Sequence, residues 1–74
     1  MRALKFKITI DSLILKDWDE WKREDQEFIE KCAKQCYINT DYDPKYDELT
    51  FTGKQEDMFF FLHGVAYRYD IELI

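Results

Sequence analysis

Three patterns in this 74-residue chain predict a small two-layer α/β sandwich. Its expected order is β-α-β-α-β, with a three-stranded sheet and two helices on one face. Segments at both ends and near residue 50 alternate apolar with polar residues, as half-buried strands do. Two segments between them repeat apolar residues at helical spacing. A Pro- and Asp-containing stretch separates the halves and reads as a loop. At this length one domain over residues 1–74 is expected. A domain so small buries only about 60% of the surface its unfolded chain exposes. Aromatic packing or oligomerisation must then support it, and two Trp, five Tyr and six Phe are available for either.

The first strand is "ALKFKITI". Leu4, Phe6, Ile8 and Ile10 point one way, and Lys5, Lys7 and Thr9 the other. Asp11 and Ser12 break it, and Leu13-Ile14-Leu15 lead into the next element. Asp17 is placed to cap a helix, with Glu20 completing a capping-box pattern. Trp18, Trp21, Phe28, Ile29, Cys32 and Cys36 share one helical stripe, so a helix is predicted over 17 to 37. "INTDYDPKYDE" is the loop. "YDELTFT" alternates again, with Leu49 and Phe51 inward. Thr52 and Gln55 form a second capping-box pattern. Met58, Phe61, Leu62 and Val65 mark a helix over 54 to 67, weakened slightly by Gly64. "RYDIELI" closes the chain as a strand with Tyr69, Ile71 and Leu73 on one side. Right-handed crossovers are expected where helices join parallel strands.

Sixteen acidic and eleven basic residues give a net charge of −5. The balance is uneven. Residues 1–16 carry four bases and one acid, 17–57 thirteen acids and six bases, and 58–74 two acids and one base. An acidic chain lacks the positive footprint that direct nucleic-acid binding requires, and it is unsuited to anionic membranes. Basic partners or simple solubility are favoured. No apolar run approaches the ~18 residues of a membrane span. Residues 1–10 alternate and show no leader-like apolar segment. Cys32 and Cys36, four apart on a helix, suit reduced thiols rather than a disulfide. A cytoplasmic protein is expected.

Catalytic parts are sparse. His63 is the one histidine and two glycines are present, so neither a triad nor a phosphate-cradling loop is recognisable. No enzyme is expected, and no cofactor. Cys32, Cys36 and His63 make three zinc ligands, whereas structural sites use four at tighter spacing. The thiols read instead as small buried hydrophobes. Asp41, Asp43 and Asp47 share a spacing with calcium loops, but the turn glycine is missing and Lys45 occupies a ligand position. No metal is expected.

The carboxylates of 17–31, "DWDEWKREDQEFIEK", are the remaining candidates. Glu20, Glu24, Glu27 and Glu30 lie opposite the Trp/Phe stripe at 100° per residue. Asp19–Arg23, Glu27–Lys31 and Glu30–Lys34 are acid-before-base pairs at i,i+4, worth a few tenths of a kcal/mol each in a solvated helix. The sharper reading is charge presentation. Glu20 to Glu27 spans about 10 Å at the helical rise, a charge density of the order of a DNA strand with phosphates ~3.4 Å apart. The loop adds Asp41, Asp43, Asp47 and Glu48, interleaved with Tyr42 and Tyr46. It reads equally as an interface, with tyrosine anchors and steering charges, or as a polar surface loop.

Two features break the amphipathic scheme. Asp25 falls inside the apolar stripe, where an unpaired carboxylate costs several kcal/mol. Either it pairs with a base such as Lys16, or the helix is uncovered there. Phe60 and Tyr67, at i,i+7, lie on the outer face of the second helix. They suggest a homodimer seam; the alternative is that the domain's own loop wraps them.

"DWDEWKREDQEFIEK" and "TDYDPKYDE", with the size and acidity of the whole chain, resemble small phage-encoded DNA-mimic inhibitors. The nearest are those of the bacterial DNA polymerase sliding clamp. The resemblance implies a homodimer seated in the DNA channel of the clamp ring, blocking its loading onto DNA in the host cytoplasm. It implies that Glu20, Glu24, Glu27, Glu30, Asp41, Asp43, Asp47 and Glu48 substitute for phosphates. A phage anti-defence (anti-CRISPR) inhibitor follows the same acidic logic. A dimeric structural or adaptor domain would use the aromatics and not the acids.

Overall fold

The computed structural model describes residues 3–74. Met1 and Arg2, which the reading of residues 1–10 as free of a leader includes, lie outside the described residues. The elements are β1 (Ala3–Ile8), β2 (Ser12–Lys16), α1 (Trp18–Gln35), β3 (Asn39–Asp43), β4 (Glu48–Thr52), α2 (Gln55–Ala66) and β5 (Asp70–Leu73). The α/β class holds, but the sheet has five strands in the order β3-β4-β2-β1-β5, not three. Only β1 and β5 pair in parallel; the other neighbours are antiparallel.

Both extra strands come from segments too short or too polar to declare themselves. Leu13-Ile14-Leu15 is an apolar run of three, which periodicity cannot assign. It becomes β2 because a tight turn folds it back on β1, pairing Phe6 with Leu15 and Ile8 with Leu13. The Thr9 N–H donates to the Ser12 carbonyl at 2.9 Å. The Ser12 N–H donates to Thr9 Oγ1 at 3.0 Å, and the two hydroxyls meet at 2.6 Å. These bonds satisfy Ser12, which is buried. Ile10, expected to face inward, instead sits at the turn tip in solvent.

The composition of Asn39–Asp43 predicts a loop, because Asn and Asp are poor strand formers. The segment is an edge strand, paired to β4 through Tyr42↔Leu49 and Asp43↔Glu48. An edge leaves most of its side chains in water, so polar residues are tolerated. Exposed Asp41 and Asp43 also discourage edge-to-edge association.

Pairing directions make β2 parallel to β3, and β4 parallel to β5. Helix α1 therefore crosses over β4, and α2 crosses over β2 and β1. The two crossovers run in opposite directions from antiparallel strands, so crossovers of one hand place both helices on one face. Leu4, Phe6, Leu13, Leu15, Leu49 and Phe51 are the buried residues of that sheet face. Phe61 of α2 meets Phe51 and Phe6 there, at ring-centroid distances of 4.7 and 6.2 Å. Trp18, Trp21, Ile29 and Ala33 of α1 join the same core.

The helix ends differ from the predicted boxes. Asp17 adopts φ 57° and makes no side-chain capping bond. Lys54 caps α2, also without a side-chain bond, and Thr52 remains in β4. At the end of α1, Tyr37 N–H donates to the Lys34 carbonyl and Ile38 N–H to that of Ala33, at 3.1 and 2.9 Å. This is a Schellman closure, with buried Ile38 returning to the core beside Ala33. It places Tyr37 at φ 60°, where glycine is the usual residue.

Candidate functional site

The carboxylates of α1 keep the outward positions assigned to them. Glu20, Glu24 and Glu27 are exposed, and Glu30 is half-buried. Among the described residues the ion pairs are Asp19–Lys22, at 2.7 Å, and Lys16–Glu48. The expected i,i+4 pairs Asp19–Arg23, Glu27–Lys31 and Glu30–Lys34 are not formed. Holding two long exposed side chains together gains little against their lost rotamer freedom. Glu30 instead receives the Gln26 amide at 3.4 Å. Glu24 and Glu27 thus stand on the outer face of a continuous helix with no ion-pair partner among the described residues.

The carboxylates of 41–48 are not continuous with that row. Asp41 and Asp43 alternate with Tyr42, whose strand partner Leu49 belongs to the helix-covered face. Their side chains therefore stand on the opposite, open face of the sheet. Glu48 joins them there and is neutralised by Lys16. The single acidic surface expected from sequence is two surfaces, on opposite sides of the two-layer domain.

Asp47 has a third role. Its carboxylate accepts the Asp19 N–H at 3.0 and 3.2 Å and the Tyr42 hydroxyl at 3.0 Å. Its carbonyl accepts the Trp18 N–H at 3.2 Å. The residue that caps α1 therefore comes from the β3–β4 turn rather than from Asp17. Asp47 sits at φ 52°, where aspartate is among the tolerated residues. Partial burial first, and then Asp47, hold the Tyr42 phenol above its ordinary pKa. Tyr42 and Asp47 are committed to this joint. Tyr46 remains exposed, with the Lys45 ammonium 5.3 Å from its ring centroid. The Lys45 N–H donates to Asp43 Oδ1 at 2.9 Å and tightens the turn.

Asp25 is half-buried and neither of the expected alternatives applies. Lys16 is occupied by Glu48, and the partner of Asp25 is Tyr69, whose hydroxyl donates to Oδ1 at 2.5 Å. Trp21 and Phe28 pack edge-on against the Tyr69 ring at 5.6 and 5.9 Å. The Arg68 guanidinium lies 4.5 Å from the Phe28 centroid. No local pattern signals this contact, which joins residues 44 positions apart.

Phe60 and Tyr67 are 68% and 91% exposed, and Phe59 beside them is 57% exposed. No loop among the described residues wraps them. Phe59 also borders a shallow apolar hollow with Ile8, Ile10, Leu13 and Leu62. Sequence reasoning missed this hollow because it depends on where the β1–β2 turn falls.

Cys32 and Cys36 are free thiols, partly buried, and burial pushes both pKa values up. Among the described residues no group of three or more His, Cys, Asp or Glu is placed to hold a metal ion. No helix among them is long and apolar enough to cross a membrane. Fold and surface together define a small α/β domain with a charged outer helix and an apolar outer helix. No protein-family model, curated protein or solved structure matches the chain significantly.

Proposed function

We propose that the protein is a non-enzymatic inhibitor that docks the outer face of α1 on the DNA-contacting surface of a host DNA-handling protein. The bacterial sliding clamp is the first target to test, and the host cytoplasm is the compartment in which it would act. One observation carries this reading. Glu24 and Glu27 are exposed on a rigid helix, and no contact among the described residues neutralises them. With Glu20 they form a row about 10 Å long, comparable in spacing with phosphates. Such charges steer association with a basic surface. Glu30 shoulders the row. Asp41 and Asp43 lie around the β3 edge and would reach only a target that wraps that edge.

The test is binding to purified clamp by titration calorimetry at low and high salt. Affinity should fall as salt screens the charges. The double variant Glu24→Lys and Glu27→Lys, checked for folding by circular dichroism, should bind at least ten-fold more weakly. Binding indifferent to both salt and charge reversal would sink the reading. Affinity capture from bacterial lysate with mass spectrometry identifies the target if the clamp does not bind.

A dimeric structural or adaptor role is the second reading. The exposure of Phe60 and Tyr67 favours it. Replacing both by serine should then change molecular mass and function, whereas charge reversal on α1 should change neither.

A further inference from the structure

The exposed face of α2 contains a glycine that the isolated chain gives no reason to keep. Glycine is the poorest helix former after proline. Gly64 lies inside α2, and neither glycine of the chain has a positive φ. A Cβ built at Gly64 would meet nothing within 4 Å. Neither backbone conformation nor internal packing therefore demands glycine there. Its neighbours along the helix surface are Phe60 at i−4 and Tyr67 at i+3. The stripe reads aromatic, notch, aromatic.

We propose that this stripe is a seam between two copies of the chain, formed by α2 packing antiparallel on α2 of the partner across a two-fold axis near Gly64. The inference rests on the dimeric reading above and gives it a geometry. Phe60 and Tyr67 are placed symmetrically about the His63–Gly64 bond. An antiparallel pair centred there sets Phe60 of each copy against Tyr67 of the other, which is the self-complementarity a two-fold interface requires. The glycine notch lets the helices approach closely at the crossing.

Charge selects the same arrangement. Two chains of net charge −5 repel over most approaches, and α2 offers the charge-poor outer face. Its first turn carries Glu56 and Asp57, and its last turn His63, followed by Arg68. Antiparallel packing brings the acidic end of one helix toward Arg68 of the partner subunit. Parallel packing would oppose acids to acids.

The aromatic area is below that of a standard interface, so the dimer it supports is a weak one. Aromatic side chains present roughly 150–250 Å² each. At the exposures of Phe60 and Tyr67 the stripe offers on the order of 300 Å² per copy, and Phe59 flanks it one residue round the helix. Ile8 and Ile10, bordering the same hollow as Phe59, extend it toward the roughly 600 Å² per partner at the lower bound of specific interfaces.

The test is analytical ultracentrifugation of the full chain from about 1 to 500 μM, a range chosen for dissociation constants near the micromolar class. The wild-type mass should rise from 9.1 kDa toward twice that value. Gly64→Ala fills the notch with a good helix former, and Gly64→Met fills it further. Both should remain folded, with Gly64→Ala melting no lower than wild type at concentrations where each is monomeric. Both should dimerise at least ten-fold more weakly. A wild-type chain monomeric throughout overturns seam and dimeric reading together, whatever other protein it binds. A dimer that persists unchanged in both variants overturns this seam and leaves a dimer through another face.

Discussion

Removing one oxygen atom, by Tyr69→Phe, measures what holds Asp25 inside the apolar stripe of α1. The Tyr69 hydroxyl donates to Asp25 at 2.5 Å, while Trp21 and Phe28 hold the ring in place. The substitution therefore deletes a hydrogen bond and leaves the packing. A bond to a charged group is worth about 1.5–3 kcal/mol. Partial exposure of the pair lowers the expectation to about 1–2 kcal/mol. The phenol supplies a second estimate. Its pKa is pushed up to about 12, by burial first and the bond to Asp25 second. A two-unit rise corresponds to about 2.7 kcal/mol; assigning part to Asp25 and discounting for exposure returns the same range. The sign follows from the raised value. The contribution is fully present below the unfolded pKa near 10, and is lost as pH rises through about 12. Urea unfolding of wild type, Tyr69→Phe, Asp25→Ala and the double variant forms the cycle. At neutral pH Tyr69→Phe should lose about 1–2 kcal/mol, and the double variant should lose less than the sum of the singles. A Tyr69→Phe variant as stable as wild type would refute the argument. So would wild-type stability that stays flat between about pH 10 and 12, where tyrosine linkage must act.

Three further outcomes follow from the same geometry. Asp47→Ala removes the cap of α1 and the partner of the Tyr42 hydroxyl, and should cost about 1–2 kcal/mol in urea unfolding. Asp17→Ala, which removes no capping bond, should cost less than Asp47→Ala. Tyr37→Gly relieves a left-handed backbone at the end of α1 and should raise stability by about 1 kcal/mol, read as a higher urea midpoint. Cys32 and Cys36 should alkylate with iodoacetamide more slowly than an unfolded control near pH 8, because burial disfavours both thiolates; equal rates would show that burial does not protect them.

Much of the fold is legible where the pattern is long. The apolar stripes of α1 and α2, and the inward residues of β1 and β4, follow from periodicities of 3.6 and 2. What escapes is decided by partners distant in sequence. Leu13-Ile14-Leu15 is too short to show a period, and its strand character comes from β1 and β4 on either side. Asn39–Asp43 has loop composition, and its strand character comes from pairing with Leu49 and its neighbours. The site follows the same rule. Glu24 and Glu27 are placed by the helix they occupy. Asp47 and Asp25 take their roles from Asp19 and Tyr69, 28 and 44 positions away.

The two outer helix faces should respond to salt in opposite directions, so one titration separates them. Two copies of net charge −5, with centres as far apart as the 27 Å extent of the domain, repel by about 4 kcal/mol in unscreened water. At a Debye length of about 10 Å the repulsion falls to a few tenths of a kcal/mol. An apolar seam on α2 loses little to salt, and contacts between acidic α2 ends and Arg68 are exposed pairs worth at most about 1 kcal/mol. Dimerisation should therefore tighten as ionic strength rises. Docking of α1 on a basic target should weaken over the same range, because there the screened term is attractive. Sedimentation and target titration across one salt series read the two slopes. If both weaken with salt, carboxylates rather than aromatics hold the copies together, and the apolar seam is wrong. If both tighten, charge does not recruit the target, and the acidic face of α1 only keeps the protein in solution.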